Sequence, residues 1–129
     1  MNRLITIIQI ILGIMFAIIG CMKLFVPITT LATSMSWVYL FPEFVVRSIG
    51  GVELLGGLAL LIPLVVKRGH RLSAFAALGF MIIMVLACLL HLSRPGEKGI
   101  AIVNGVIFVL SAMVMFRRFR SRIYPQVSG

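Results

Sequence analysis

Polar positions interrupt this chain at intervals close to the thickness of a membrane. Apolar residues run from Leu4 to Val26, from Arg47 to Val66, from Leu72 to Leu92 and, in a shorter stretch, from Ile100 to Phe116. A bilayer-spanning helix needs about 20 mainly apolar residues. The pattern therefore predicts an all-α integral membrane four-helix bundle, residues 1–129 forming a single domain. Between the runs stand Pro27, the basic turn Lys67-Arg68-Gly69-His70-Arg71, and the turn Arg94-Pro95-Gly96-Glu97-Lys98-Gly99. The connection 27–46 is longer. It mixes Thr29, Thr30, Thr33, Ser34 and Ser36 with Trp37, Tyr39 and Phe41, and Trp and Tyr favour the membrane–water boundary. It reads as an interfacial loop, an anchor that contains a short surface helix or serves as a lid.

Within the runs, small and polar residues recur at helical spacing. Gly13, Ala17 and Cys21 fall at steps of four, and Gly50, Glu53 and Gly57 share a face, so the first two spans can approach closely. Gly13, Ala17, Gly50 and Gly57 are the expected helix-packing positions. Ala77, Met81, Met84, Cys88 and His91 form one stripe of the third span, and Ala101, Asn104, Phe108 and Ser111 one of the fourth.

Composition agrees with the pattern. The chain is 61% hydrophobic and 12% charged, with a mean hydropathy of +1.18, which no soluble core of this size would bury. The net charge of +9 does not signal nucleic acid, because the basic residues sit at the ends of apolar runs. With four spans, Arg3, Lys67, Arg68, Arg71, Arg117, Arg118, Arg120 and Arg122 share one side. Lys23, Arg47, Arg94 and Lys98 take the other, with Glu43 and Glu97. The excess of Lys and Arg places both termini in the cytoplasm of a plasma-membrane protein. The basic tail 117–129, through Arg117, Arg118, Arg120 and Arg122, suits anionic headgroups. The lipid bilayer is the first expected partner; a glycine face would also suit a second copy of the chain or a partner subunit.

Met1-Asn2-Arg3 followed by an apolar run to Cys21 has the outline of an export signal. The run exceeds the roughly 7–15 residues of a signal core and continues to Val26, so a retained helix is expected. Cys21 and Cys88 both fall near the outward helix ends, where either a disulfide or simple packing of two small residues would fit. The methionines are scattered, as packing residues are.

Glu53 carries the chemistry. A carboxylate at the centre of a membrane helix costs roughly 2.5–3.5 kcal/mol on the lenient scale, and such residues face protein and often mark function. Lys23, Glu53, His91 and Asn104 each lie within a turn or two of the outward helix ends, in a layer roughly 10 Å thick at 1.5 Å rise per residue. Lys23 has a second reading, its stem carrying the ammonium out to the headgroups. The cluster itself has two: a polar clasp that fixes helix order, or a cavity where Glu53 and His91 meet a small lipid-soluble molecule such as a quinone. One histidine, one carboxylate and a cysteine on separate helices lack metal-ligand spacing, so no metal is expected. No catalytic nucleophile, dithiol, haem-attachment motif or nucleotide loop is present.

Several stretches resemble the DoxX-like family of small bacterial membrane proteins. They are Gly20 with Lys23-Leu24, Met35-Ser36-Trp37-Val38, Phe41-Pro42, and Val46 to Leu58 with its Gly50-Gly51-Val52-Glu53-Leu54-Leu55-Gly56 core. Pro63, Arg71 to Gly79, Met84, His91-Leu92-Ser93-Arg94 with Glu97, and Asn104 continue the likeness. The residues around Pro95 and Gly96 lengthen the third loop relative to the usual pattern. The resemblance implies a four-helix membrane protein in a superfamily that includes a subunit of a thiosulfate–quinone oxidoreductase and members associated with redox defence. It brings no mechanism. The expectation is an accessory protein whose outward polar layer binds a lipid-soluble molecule. A quinone-linked oxidoreductase subunit and a small-molecule or proton-coupled carrier are the alternatives. The carrier is poorly supplied, since the cytoplasmic halves offer only Gln9 and Ser111 as polar lining.

Overall fold

The structure, a computed structural model, describes residues 2–120. Its elements in chain order are α1 (Asn2–Phe25), α2 (Ile28–Ser34), a 3-10 helix (Ser36–Leu40), α3 (Glu43–Val66), α4 (His70–Leu92) and α5 (Lys98–Arg120). The described residues contain no strand. α1, α3, α4 and α5 are long and apolar enough to cross a membrane; at 1.5 Å per residue, 23 residues extend about 35 Å, more than the roughly 30 Å hydrocarbon core.

Two helices run a full turn further than the hydropathy pattern predicts. α3 begins at Glu43 rather than Arg47, because Pro42 supplies a helix-compatible φ of −58° at the N-cap and Glu43 pairs with Arg47 one turn on at 3.0 Å. α5 continues past Phe116 to Arg120. Its last turn carries Arg117, Arg118 and Arg120, good helix formers whose charge complements the C-terminal dipole. The segment expected as an interfacial loop is ordered into α2 and the 3-10 helix.

α1 packs most closely on α3, and α4 on α5. The first pair meets backbone to backbone: a Cβ on Gly20 would lie 2.6 Å from the Gly50 carbonyl oxygen, and one on Gly57 2.7 Å from that of Gly13 and 2.8 Å from the Ala17 nitrogen. Gly20, rather than Cys21, occupies the tight position. Between the two pairs lies a core of Leu12, Phe16, Leu60, Ala77, Phe80, Met84 and Val114. Phe16 and Phe80 stack with centroids 3.7 Å apart, in space left by Gly56. A second small core, Leu31, Val38 and Val46, lies under the 27–42 segment. That segment covers the end of the bundle opposite the start of α1 and the finish of α5; these are the far end and the near end.

Candidate functional site

Lys23, in the last turn of α1, reaches Glu53 on α3. Its Nζ donates to Oε1 at 2.9 Å and to Oε2 at 2.8 Å, and the two residues are only 6% and 3% exposed. Gly50 makes the reach possible: a Cβ there would lie 2.6 Å from Lys23 Cβ, so the lysine stem crosses α3 over a bare backbone. The third side of the ammonium faces the Trp37 ring, 5.2 Å from its centroid. Lys23 thus turns inward instead of extending to the headgroups.

The other two residues of the expected layer are placed differently. His91 Nδ1 lies 2.7 Å from Glu97 Oε2, not at Glu53. The turn explains this, because Gly96 at φ 80° reverses the chain and brings Glu97 back over the end of α4. Arg94 forms an ion pair with the same carboxylate at 3.1 Å, and Ser36 Oγ donates to its Oε1 at 3.4 Å. The His91 hydrogen bond first, and then the Arg94 charge, hold the Glu97 carboxyl below its ordinary value of 4.5. Asn104 is 9% exposed, and its Nδ2 is buried with no partner among the described residues. The layer of four is therefore an ion pair, a separate imidazole–carboxylate pair and an idle amide. Both Glu53 oxygens accept from the ammonium, and neither the imidazole nor the amide is hydrogen-bonded to that carboxylate.

An apolar recess of about 260 Å³ opens between α4 and α5, lined by Met84, Val85, Cys88, Leu89, Gly105 and Phe108; Asn104 precedes the lining residue Gly105 without lining the recess itself. Both thiols are free; Cys88 Sγ donates to the Ala101 carbonyl at 3.4 Å, one turn from Asn104. Among the described residues no group of three or more His, Cys, Asp or Glu is placed to hold a metal ion.

Two further polar knots had little signal in the sequence. Arg47, read there as a topology charge, donates from Nη1 to the carbonyls of Lys23 at 2.7 Å and Val26 at 2.6 Å, closing the C-terminus of α1. At the near end Gln9 is fully buried. Its Nε2 donates to the Leu60 carbonyl at 2.6 Å and to Ser73 Oγ at 2.9 Å. Ser73 in turn donates to the Ala59 carbonyl at 3.3 Å, the oxygen that Pro63, lacking an N–H, leaves without its helical donor. Arg118 enters the same knot, its Nε 2.8 Å from Gln9 Oε1 and its Nη2 3.4 Å from Thr6 Oγ1. Arg118 thus turns partly into the bundle, whereas Arg120 is exposed and Arg117 half-buried. Arg122 lies outside the described residues.

The chain matches the DoxX-like family model over residues 7–114. It belongs to the DoxX-like family. The matched span holds Lys23, Glu53, His91 and Asn104, and stops before the arginines that end α5. No curated protein and no solved structure matches the chain. Family membership and four long apolar helices make this DoxX-like chain a small membrane protein of helical-bundle architecture.

Proposed function

We propose that this DoxX-like protein is a multi-pass accessory protein of the bacterial plasma membrane, with its termini in the cytoplasm, that binds a small lipid-soluble molecule at its outward-facing far end. The observation that carries this reading is the buried, partnerless Asn104 amide one position before Gly105, which lines an apolar recess. A buried donor without a partner costs about 1–3 kcal/mol. A molecule with a carbonyl acceptor on an apolar ring, as in a quinone, would fill the recess from the acyl phase, and the amide would meet its carbonyl by turning past Gly105. The charge distribution supports the orientation, since Arg3, Lys67, Arg68, Arg71, Arg117, Arg118 and Arg120 lie at the near end against Lys23, Arg47, Arg94 and Lys98 at the far end.

Gently extracted protein, incubated with a short-chain quinone, provides the test. Asn104→Leu removes the donor, and Gly105→Leu fills the recess at a position where an added Cβ meets nothing within 4 Å. Each is expected to weaken binding by roughly tenfold, the equivalent of about 1.4 kcal/mol, without lowering thermal stability. Unchanged quinone affinity in both variants would refute the site.

A further inference from the structure

We propose that the strap from Pro27 to Pro42 is a lid over the Lys23–Glu53 pair, and that Glu97 is its latch. Pro27 (ψ 143°) and Pro42 (ψ 150°) take extended conformations, so the strap is in helical continuity with neither α1 nor α3. Its apolar contacts lie on one side: Leu31 and Val38 pack with Met22 and Val26 at the end of α1 and with Val46 of α3. Arg47 fixes the origin of the strap by bonding the carbonyls of Lys23 and Val26.

Towards α4 and α5 the attachment is of another kind. Among the described residues, the one hydrogen bond or ion pair from the strap to that helix pair is Ser36 Oγ to Glu97 Oε1, a long bond of 3.4 Å. The acceptor is firmly held, since Glu97 is gripped by His91 at 2.7 Å and Arg94 at 3.1 Å. One position after Ser36, Trp37 lies over the Lys23 ammonium. Trp37 also borders the Leu31–Val38–Val46 core, so releasing Ser36 from Glu97 loosens the strap next to the ring and leaves only the ring's contacts to that core holding it over the ammonium. Lys23 and Glu53 then gain access to water from the far end, by a route separate from the recess between α4 and α5. A strap joined by apolar contacts on one side and by a single exposed bond on the other opens on the second side first. This inference stands on the enclosure of the ion pair and needs no ligand at Asn104.

The chain provides its own probes. Trp37 is its single tryptophan, and its three acidic residues include the exposed Glu43 as an internal reference for Glu53. Full-length protein in nanodiscs is compared with Ser36→Ala and Glu97→Ala. Acrylamide quenching of Trp37 and labelling of Glu53 by a water-soluble carbodiimide, relative to Glu43, are both measured. Each variant is expected to raise quenching and to raise the Glu53-to-Glu43 labelling ratio severalfold. Ser93→Ala, which removes an exposed bond to the Leu90 carbonyl at the same end, should leave both unchanged. Unaltered values in the two latch variants would overturn the proposal. So would an equal rise in Ser93→Ala, which would show general loosening, or a rise in quenching without labelling, which would show that Trp37 moves without uncovering the pair.

Discussion

At the scale of single residues, the Lys23–Glu53 pair shows how far a sequence can specify a buried charge. That Glu53 needs a partner follows from its apolar neighbours. Which partner it takes does not, because the choice depends on the clearance over Gly50 that lets the lysine stem cross α3. Removing one member leaves the other charged and unpaired, at a cost of about 3–5 kcal/mol, whereas replacing both with apolar residues is near neutral. Lys23→Met is therefore expected to lower stability strongly, and Lys23→Met with Glu53→Leu to recover most of it, measured by thermal unfolding in detergent. Glu97 was legible as a turn charge and as part of the likeness to the family, but not as the partner of His91, which depends on the reversal at Gly96. Its folded pKa is depressed, so its contribution is fully present above 4.5 and is lost as pH falls through the lower folded value. His91, Arg94 and Ser36 are the groups facing it. Trp37 quenching should stay flat from pH 7 to about 5 and rise only under stronger acid; in Glu97→Ala that acid step should vanish.

At the scale of elements, the long helices were legible because each needs only a continuous apolar run, but their ends were not. α3 and α5 gain their extra turns from Pro42, the Glu43–Arg47 pair and terminal arginines, which hydropathy counts as polar. The strap showed its aromatic interfacial character without showing its helices, since seven residues of α2 are too few to display a period. Pro63 offers a sharper test of element-level reasoning. Its missing N–H implies a free carbonyl at Ala59, but only the packed bundle shows that Ser73 fills the gap. Ser73→Ala should cost about 0.5–1.5 kcal/mol in the native background. In a Pro63→Ala background the restored backbone N–H supplies the bond to the Ala59 carbonyl, and a double-mutant cycle should show that share of the cost gone, while the loss of the Gln9 bond to Ser73 Oγ persists in both backgrounds.

At the scale of the whole molecule, two helix pairs are joined by an apolar middle, with polar knots at both ends. The near-end knot of Gln9, Ser73 and Arg118 draws on four helices through one amide and the Leu60 and Ala59 carbonyls. The stacked Phe16 and Phe80 occupy the interior between the knots, an arrangement suited to an accessory binder more than to a carrier. The layer of four expected from depth alone separates into the Lys23–Glu53 pair, a histidine that pairs with Glu97 instead, and one amide, because depth fixes height along the helices but not which side chains face each other. The amide thereby becomes the residue of interest, and the α4–α5 recess lined by the next residue, Gly105, had no signal in the sequence. Photolabelling in native membranes with a photoreactive short-chain quinone, mapped by peptide mass spectrometry, is the most direct measurement. The label is expected on the peptides spanning 84–89 and 104–108, and to be lost in Gly105→Leu. Label distributed over the exposed faces of α1 and α3 as strongly as over α4 and α5, and unchanged in that variant, would contradict a binding site at Asn104.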